Sequence, residues 1–90
     1  MDRGAVTVRY WAAARAAAGV ASDDVEVSGP VSLAELRQRA VALHPETRLE
    51  AVLAACSALV GDLPVGSRDP DTVVVRPGET VEFLPPFAGG

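Results

Sequence analysis

Apolar and polar positions alternate from Ala5 to Trp11, with Val6, Val8 and Tyr10 on one side and Thr7, Arg9 and Trp11 on the other. A period of two marks a half-buried strand, so the aliphatic side should pack inward and Trp11 should face out. Ala12 to Ala18 is a short helical stretch of alanine whose only charge is Arg15, and Gly19 stands where a helix end favours glycine. Alternation returns from Asp24 to Ser28, with Val25 and Val27 pointing the same way, and predicts a second strand paired with the first in a hairpin-like arrangement. Gly29-Pro30 breaks it. Ser32 followed by Glu35 has capping-box spacing, and Leu33, Leu36, Ala40 and Leu43 recur on one helical face, which predicts the main helix. His44-Pro45 ends that helix, because the residue before proline is pushed out of the helical region.

Leu49, Val52, Leu53 and Cys56 repeat at helical spacing, so a second, shorter helix or turn should pack beneath the first. Ser57 to Val60 reads as a third strand, Gly61-Asp62 as its turn, and Leu63 to Val65 as a segment pairing back onto it. Gly66 to Asp71 is turn chemistry without an apolar residue, hence an exposed loop. Val73 to Val75 predicts a brief buried strand, and Arg76-Pro77-Gly78-Glu79 a turn with proline and glycine in type II positions. Thr80 to Leu84 is the last strand, with Val81 and Phe83 inward and Glu82 and Leu84 outward. These elements make an α+β sheet with one principal helix across a face.

The last strand runs straight into Pro85-Pro86-Phe87-Ala88-Gly89-Gly90. Prolines cannot donate to a sheet ladder, so they end the strand and push the following residues off the body. Glycine lacks Cβ, so Gly89-Gly90 can lie extended in a channel too narrow for other residues. At about 3.3 Å per residue, six extended residues reach roughly 20 Å, far enough to enter a neighbouring protein's active site. The division expected is therefore a folded domain over residues 1–84 and a thread over residues 85–90, with the Gly90 carboxylate as the candidate working group.

Ninety residues suit one domain, and 49% apolar with 22% charged residues places the chain among folded proteins rather than disordered ones. The net charge of -4, with eight basic residues scattered singly, supplies no basic stripe, so neither nucleic acid nor a membrane surface is an expected partner. All eight are arginines, and the absence of lysine leaves the protein no ε-amine on which its own carboxyl could be captured. The single cysteine, Cys56, excludes an internal disulfide and fits a reducing, cytoplasmic setting. No apolar run approaches the roughly 18 residues of a membrane helix, and the N-terminus lacks a signal peptide's order.

Candidate chemistry in the body is sparse. His44 and Cys56 fall short of a metal site, Cys56 lies on an apolar helical face without an activating neighbour, and the acidic pairs Asp23-Asp24 and Asp69-Asp71 read as solvated loop residues. If the first and last strands lie side by side, outward Trp11 and outward Leu84 form one apolar patch at the base of the tail, and tryptophan is a common interface anchor.

Val8-Arg9-Tyr10-Trp11-Ala12-Ala13-Ala14-Arg15 near the start and Pro77 through Gly90 at the end together resemble the MoaD/ThiS family of sulfur carriers. Within it, the pattern is most similar to the small subunit of molybdopterin synthase. Pro77-Gly78-Glu79 replaces the acidic-Gly-acidic turn of that pattern, and Gly61 stands where asparagine is often found. The resemblance implies the ubiquitin-like β-grasp fold, a mixed sheet of four to five strands with one main helix across a face. It also implies a non-catalytic carrier that binds no cofactor of its own. An adenylating, ubiquitin-activating-type enzyme would use ATP to activate Gly90. A sulfur donor such as a cysteine desulfurase or rhodanese would make the thiocarboxylate. The large synthase subunit would bind the threaded residues Pro85, Pro86, Phe87, Ala88 and Gly89 through a patch at Trp11, Leu84 and Arg15, and the sulfur would pass to a cyclic pyranopterin in molybdenum cofactor synthesis. Sulfur delivery to thiamine-thiazole or cysteine synthesis uses the same terminus, as does a ubiquitin-like modifier; a plain binding module is the remaining alternative.

Overall fold

The computed structural model describes residues 4–86. Strand β1 (Gly4–Tyr10) buries Val6, Val8 and Tyr10 and leaves Arg9 exposed, as the alternation predicts. It ends one residue earlier than expected: Trp11 is extended but caps helix α1 (Ala12–Ala18) rather than continuing the strand. Alanine alone would barely hold so short a helix in water. Tertiary packing supplies the rest, with Ala14 and Ala18 buried and Gly19 closing the C-terminus in the left-handed conformation at φ 79°.

Strand β2 (Ser22–Val27) runs antiparallel to β1, with Val25 and Val27 buried. It starts two residues before the expected Asp24, which takes Asp23 and Asp24 out of the loop assigned to them. The isolated pair β3 (Val31–Ser32) and β6 (Val74–Val75) forms its own small antiparallel sheet. The expected strand at Val73 to Val75 is therefore real but outside the main sheet, and it is not wholly buried, since Val73 and Val75 face the core and Val74 is exposed.

Helix α2 (Leu33–Ala42) begins at Ser32, whose Oγ accepts from the Glu35 amide at 3.0 Å. Only this half of the capping box forms, because the Glu35 carboxylate pairs with Arg39. Leu33, Leu36 and Ala40 are buried, but Leu43, expected on the same face, is 51% exposed. The helix stops at Ala42, so Leu43 becomes its C-cap and leaves the apolar stripe. Helix α3 (Leu49–Ala55) then buries Leu49 and Leu53.

Strands β4 (Ser57–Val60), β5 (Leu63–Pro64) and β7 (Thr80–Leu84) complete the main sheet in the order β2-β1-β7-β4-β5. The central pair β1 and β7 is parallel and its other neighbours are antiparallel, so the sheet is mixed. Val81 and Phe83 point to the core with Val6, Val8 and Tyr10, and the helices contribute Leu36, Leu49 and Leu53 to it. The five-stranded mixed sheet under one principal helix is the β-grasp arrangement. Its opposite face, carrying Thr7, Arg9 and Glu82, is uncovered among the described residues.

Candidate functional site

The parallel register places Tyr10 opposite Phe83 and Arg9 opposite Glu82. One residue on, the Trp11 amide donates to the Phe83 carbonyl at 3.1 Å, which ties the tryptophan to the end of β7. The residue is 38% exposed. Two polar contacts fix it: Nε1 donates to Glu82 Oε1 at 2.9 Å, and the Arg9 guanidinium carbon lies 5.2 Å from the ring centroid in a cation–π contact. The indole is thus held between an anion and a cation on the open face of the sheet.

The backbone at this point is unusual. Ala12 has φ 51°, a left-handed value rare for a residue with a Cβ, and it follows Trp11 directly. This turn lets the chain leave β1 and enter α1 at once while Trp11 stays on the sheet's outer face. Arg15 is exposed one helical turn further on, its amide 3.5 Å from the Trp11 carbonyl. Leu84 is half-buried, pairs with Ser57 of β4, and follows Phe83 into exposed Pro85 and Pro86. Phe87, Ala88, Gly89 and Gly90 lie outside the described residues.

Of the residues singled out near the two ends of the chain, Trp11 and Leu84 are therefore brought to one end of the sheet, where Pro85 and Pro86 follow. Arg9 and Glu82 join them and were not singled out in the sequence. Their signal was present, since the same alternation that faces Trp11 outward faces both of them outward on strands expected to be neighbours.

A second polar cluster has no such signal. The Tyr10 hydroxyl donates to Asp23 Oδ2 at 2.9 Å, and His44 Nε2 donates to the same oxygen at 2.5 Å. The rings of Tyr10 and His44 meet edge to face with centroids 6.1 Å apart. Asp23 is consequently not the solvated loop residue that its sequence context suggested, and His44, just past the end of α2, is also a tie from that helix to β2. Burial first, and then the hydrogen bond and the charge of Asp23, push the Tyr10 phenol well above the ordinary tyrosine range. All three groups are engaged with one another, which makes the cluster a brace under the sheet rather than an open acid-base site.

Cys56 is half-buried at the end of α3, and burial raises its thiol above the usual range. Among the described residues there is no group of three or more His, Cys, Asp or Glu side chains able to hold a metal ion, and no helix is long and apolar enough to cross a membrane.

The family model described as the ThiS family matches residues 8–90, from the middle of β1 through the final glycine. The chain belongs to the ThiS family. ThiS-family proteins are small ubiquitin-like proteins that generally act as carriers rather than catalysts. No curated protein sequence matches this ThiS-family chain. Among solved structures it is similar to the crystal structure of SAMP1 from Haloferax volcanii, at 19% identity and TM-score 0.76, over 97% of this chain and 100% of that one. The solution structure of the small archaeal modifier protein 1 from Methanosarcina acetivorans matches at 15% identity and TM-score 0.74, over the whole of both chains. The Haloferax volcanii HVO 2177 protein matches at 20% identity and TM-score 0.73, over 98% of this chain and 88% of that one. At these identities the likeness is one of fold, and it assigns the ubiquitin-like β-grasp.

Proposed function

We propose that this ThiS-family protein is a sulfur carrier whose Gly90 carboxylate is adenylated and converted to a thiocarboxylate. The observation that carries the reading is the position of β7: it is clamped between β1 and β4 and runs directly into exposed Pro85-Pro86, with Trp11 tied to Phe83 and Glu82 beside the exit. A rigid strand end gives the thread a defined origin, and an anchored aromatic beside it gives a partner a surface to hold.

A carboxylate resists nucleophiles until one oxygen becomes a good leaving group. An activating enzyme of the ubiquitin-activating type would join Gly90 to AMP, releasing pyrophosphate from ATP. Attack by a sulfur nucleophile at the sulfide level would then break the bond between the acyl carbon and the phosphate oxygen, expelling AMP and leaving the thiocarboxylate. Arg9, Trp11 and Leu84, with Arg15 at the margin, form the proposed docking surface, and residues 85–90 the thread that enters the partner. Pro85-Pro86 resembles the molybdopterin synthase branch, so the favoured acceptor is a cyclic pyranopterin bound to a large synthase subunit, in molybdenum cofactor synthesis. The carrier would work in the cytoplasm.

The fold shared with archaeal modifier proteins favours one second reading, in which Gly90 is joined to a lysine of another protein. Incubation with an activating enzyme, ATP and a sulfur source, followed by intact-mass measurement, separates the two. A gain equal to the exchange of one oxygen for sulfur, confined to Gly90, is the expected result. Conjugates to lysine-bearing proteins without that exchange would establish the modifier reading instead.

A further inference from the structure

A cavity of about 460 Å³ opens between α2, α3, the start of β4 and the loop that follows β5, away from the Trp11 surface. Its floor is core: Leu33, Leu53, Val65 and Phe83 are each almost fully buried. Its charged lining is one-sided. In a chain with twelve acidic and eight basic residues, Arg37 and Arg68 both line it and, among the described residues, no aspartate or glutamate does.

The two guanidiniums are placed differently. Arg68 is held rigid, its Nε donating to the Val65 carbonyl at 3.1 Å and its Nη2 to the Pro64 carbonyl at 3.2 Å, so the remaining nitrogen is a preset donor. Arg37, half-buried on α2, has neither a carboxylate partner nor a hydrogen-bond acceptor among the described residues, whose ion pairs are Arg39 with Glu35 and His44 with Asp23. Glu50 shares with Arg37 only the adjoining groove between α2 and α3, and Asp69 accepts from the Asp71 amide within the loop. That loop is fixed by further bonds from the Thr72 amide and hydroxyl to the Asp69 carbonyl, at 2.9 and 2.7 Å, so the wall beside Arg68 is preformed.

We infer that this cavity binds a small amphipathic anion, an apolar body bearing one carboxylate or phosphate group. The volume lies within the usual range for small-ligand sites, roughly 300–1,000 Å³. The floor accommodates the apolar body, and the two guanidiniums receive the anionic head with charge-assisted hydrogen bonds. The inference is independent of what Gly90 carries.

Cys56 lines the same cavity and is the only cysteine, which makes its thiol a reporter of occupancy. The full chain is titrated with hexanoate, hexyl phosphate or hexanol to about 10 mM while amide shifts and the rate of Cys56 alkylation are followed. The anions should shift amides around Cys56, Ser57 and residues 65–68 and slow alkylation, with a dissociation constant on the order of 1 mM or below. Whichever head group binds more tightly identifies the ligand as a carboxylate or a phosphate. Arg37→Gln, checked for an intact amide spectrum, should weaken the anions about tenfold, and Arg37→Lys should lose less. Anions that leave the amides unmoved would overturn the inference. So would hexanol binding as tightly as the anions, or an affinity unchanged in Arg37→Gln.

Discussion

Trp11 Nε1 donates to Glu82 Oε1 at 2.9 Å across 71 residues of sequence, and this bond joins the first loop of the chain to its last strand. The indole is therefore presented in one orientation rather than swinging free. Because the contact is solvent-exposed, its stabilising effect should be small while its effect on recognition is large. Glu82→Ala should lower stability by less than about 1 kcal/mol, since exposed surface changes are usually that mild. It should shift Trp11 fluorescence towards a wetter environment and weaken binding to an activating enzyme several-fold. Trp11→Ala should weaken that binding further, by about tenfold or more, while the fold persists in circular dichroism. Unfolding of Trp11→Ala would show that the ring is a core element.

Ala12 at φ 51° sits in a conformation that disfavours any side chain with a Cβ. Glycine adopts it without that penalty, so Ala12→Gly should raise stability by about 0.5–1 kcal/mol, read from the urea midpoint. A loss of stability would mean that the helix propensity of Ala12 in α1 outweighs the strain of its backbone.

Tyr10 is the only tyrosine, so its ionisation can be followed by absorbance without interference from another phenol. Its phenol is raised in the fold by burial and by Asp23, so the native state holds the proton more tightly than the unfolded chain does. The resulting stabilisation is fully present below about pH 10, the ordinary tyrosine value, and is lost as pH rises from there towards the folded value. Urea midpoints should fall between pH 10 and pH 11.5 and tyrosinate should appear only as the protein unfolds. In Tyr10→Phe the tyrosine-linked part of that alkaline decline should vanish, at a cost of about 1–2 kcal/mol at neutral pH for leaving Asp23 one donor short.

Removing Gly90 should abolish sulfur loading while leaving the thermal midpoint within about 1 °C of the parent, because the last strand of the sheet ends at Leu84. A large drop in the midpoint would assign the last residue a structural role.

β1, β2 and β7 were legible because each carries its own period of two, and β4 and β7 fall on the boundaries that their sequences mark. The central pairing of β1 with β7 followed from fold logic rather than from any local signal. What escaped was decided by tertiary contact. Asp23 looks like a turn residue until Tyr10 and His44 are found on its carboxylate, 13 and 21 residues away in sequence. Leu43 fits the apolar stripe of α2 perfectly in number, but its helix ends one residue too soon to keep it there. Arg9 and Glu82 had the right parity, yet nothing local says that a cation and an anion will enclose an indole.

For the proposed docking surface, the pairing of β1 with β7 would also govern when the carrier becomes recognisable. Neither the Trp11 amide bond to Phe83 nor the indole bond to Glu82 can form until the last strand has been synthesised and inserted at the centre of the sheet. Such distant pairing is slow to form, since the loop-closure entropy must be met before the contacts reward it. A partner that reads Trp11 in its locked orientation therefore reads completed folding at the same time, and a nascent or misfolded chain would offer it no platform to charge.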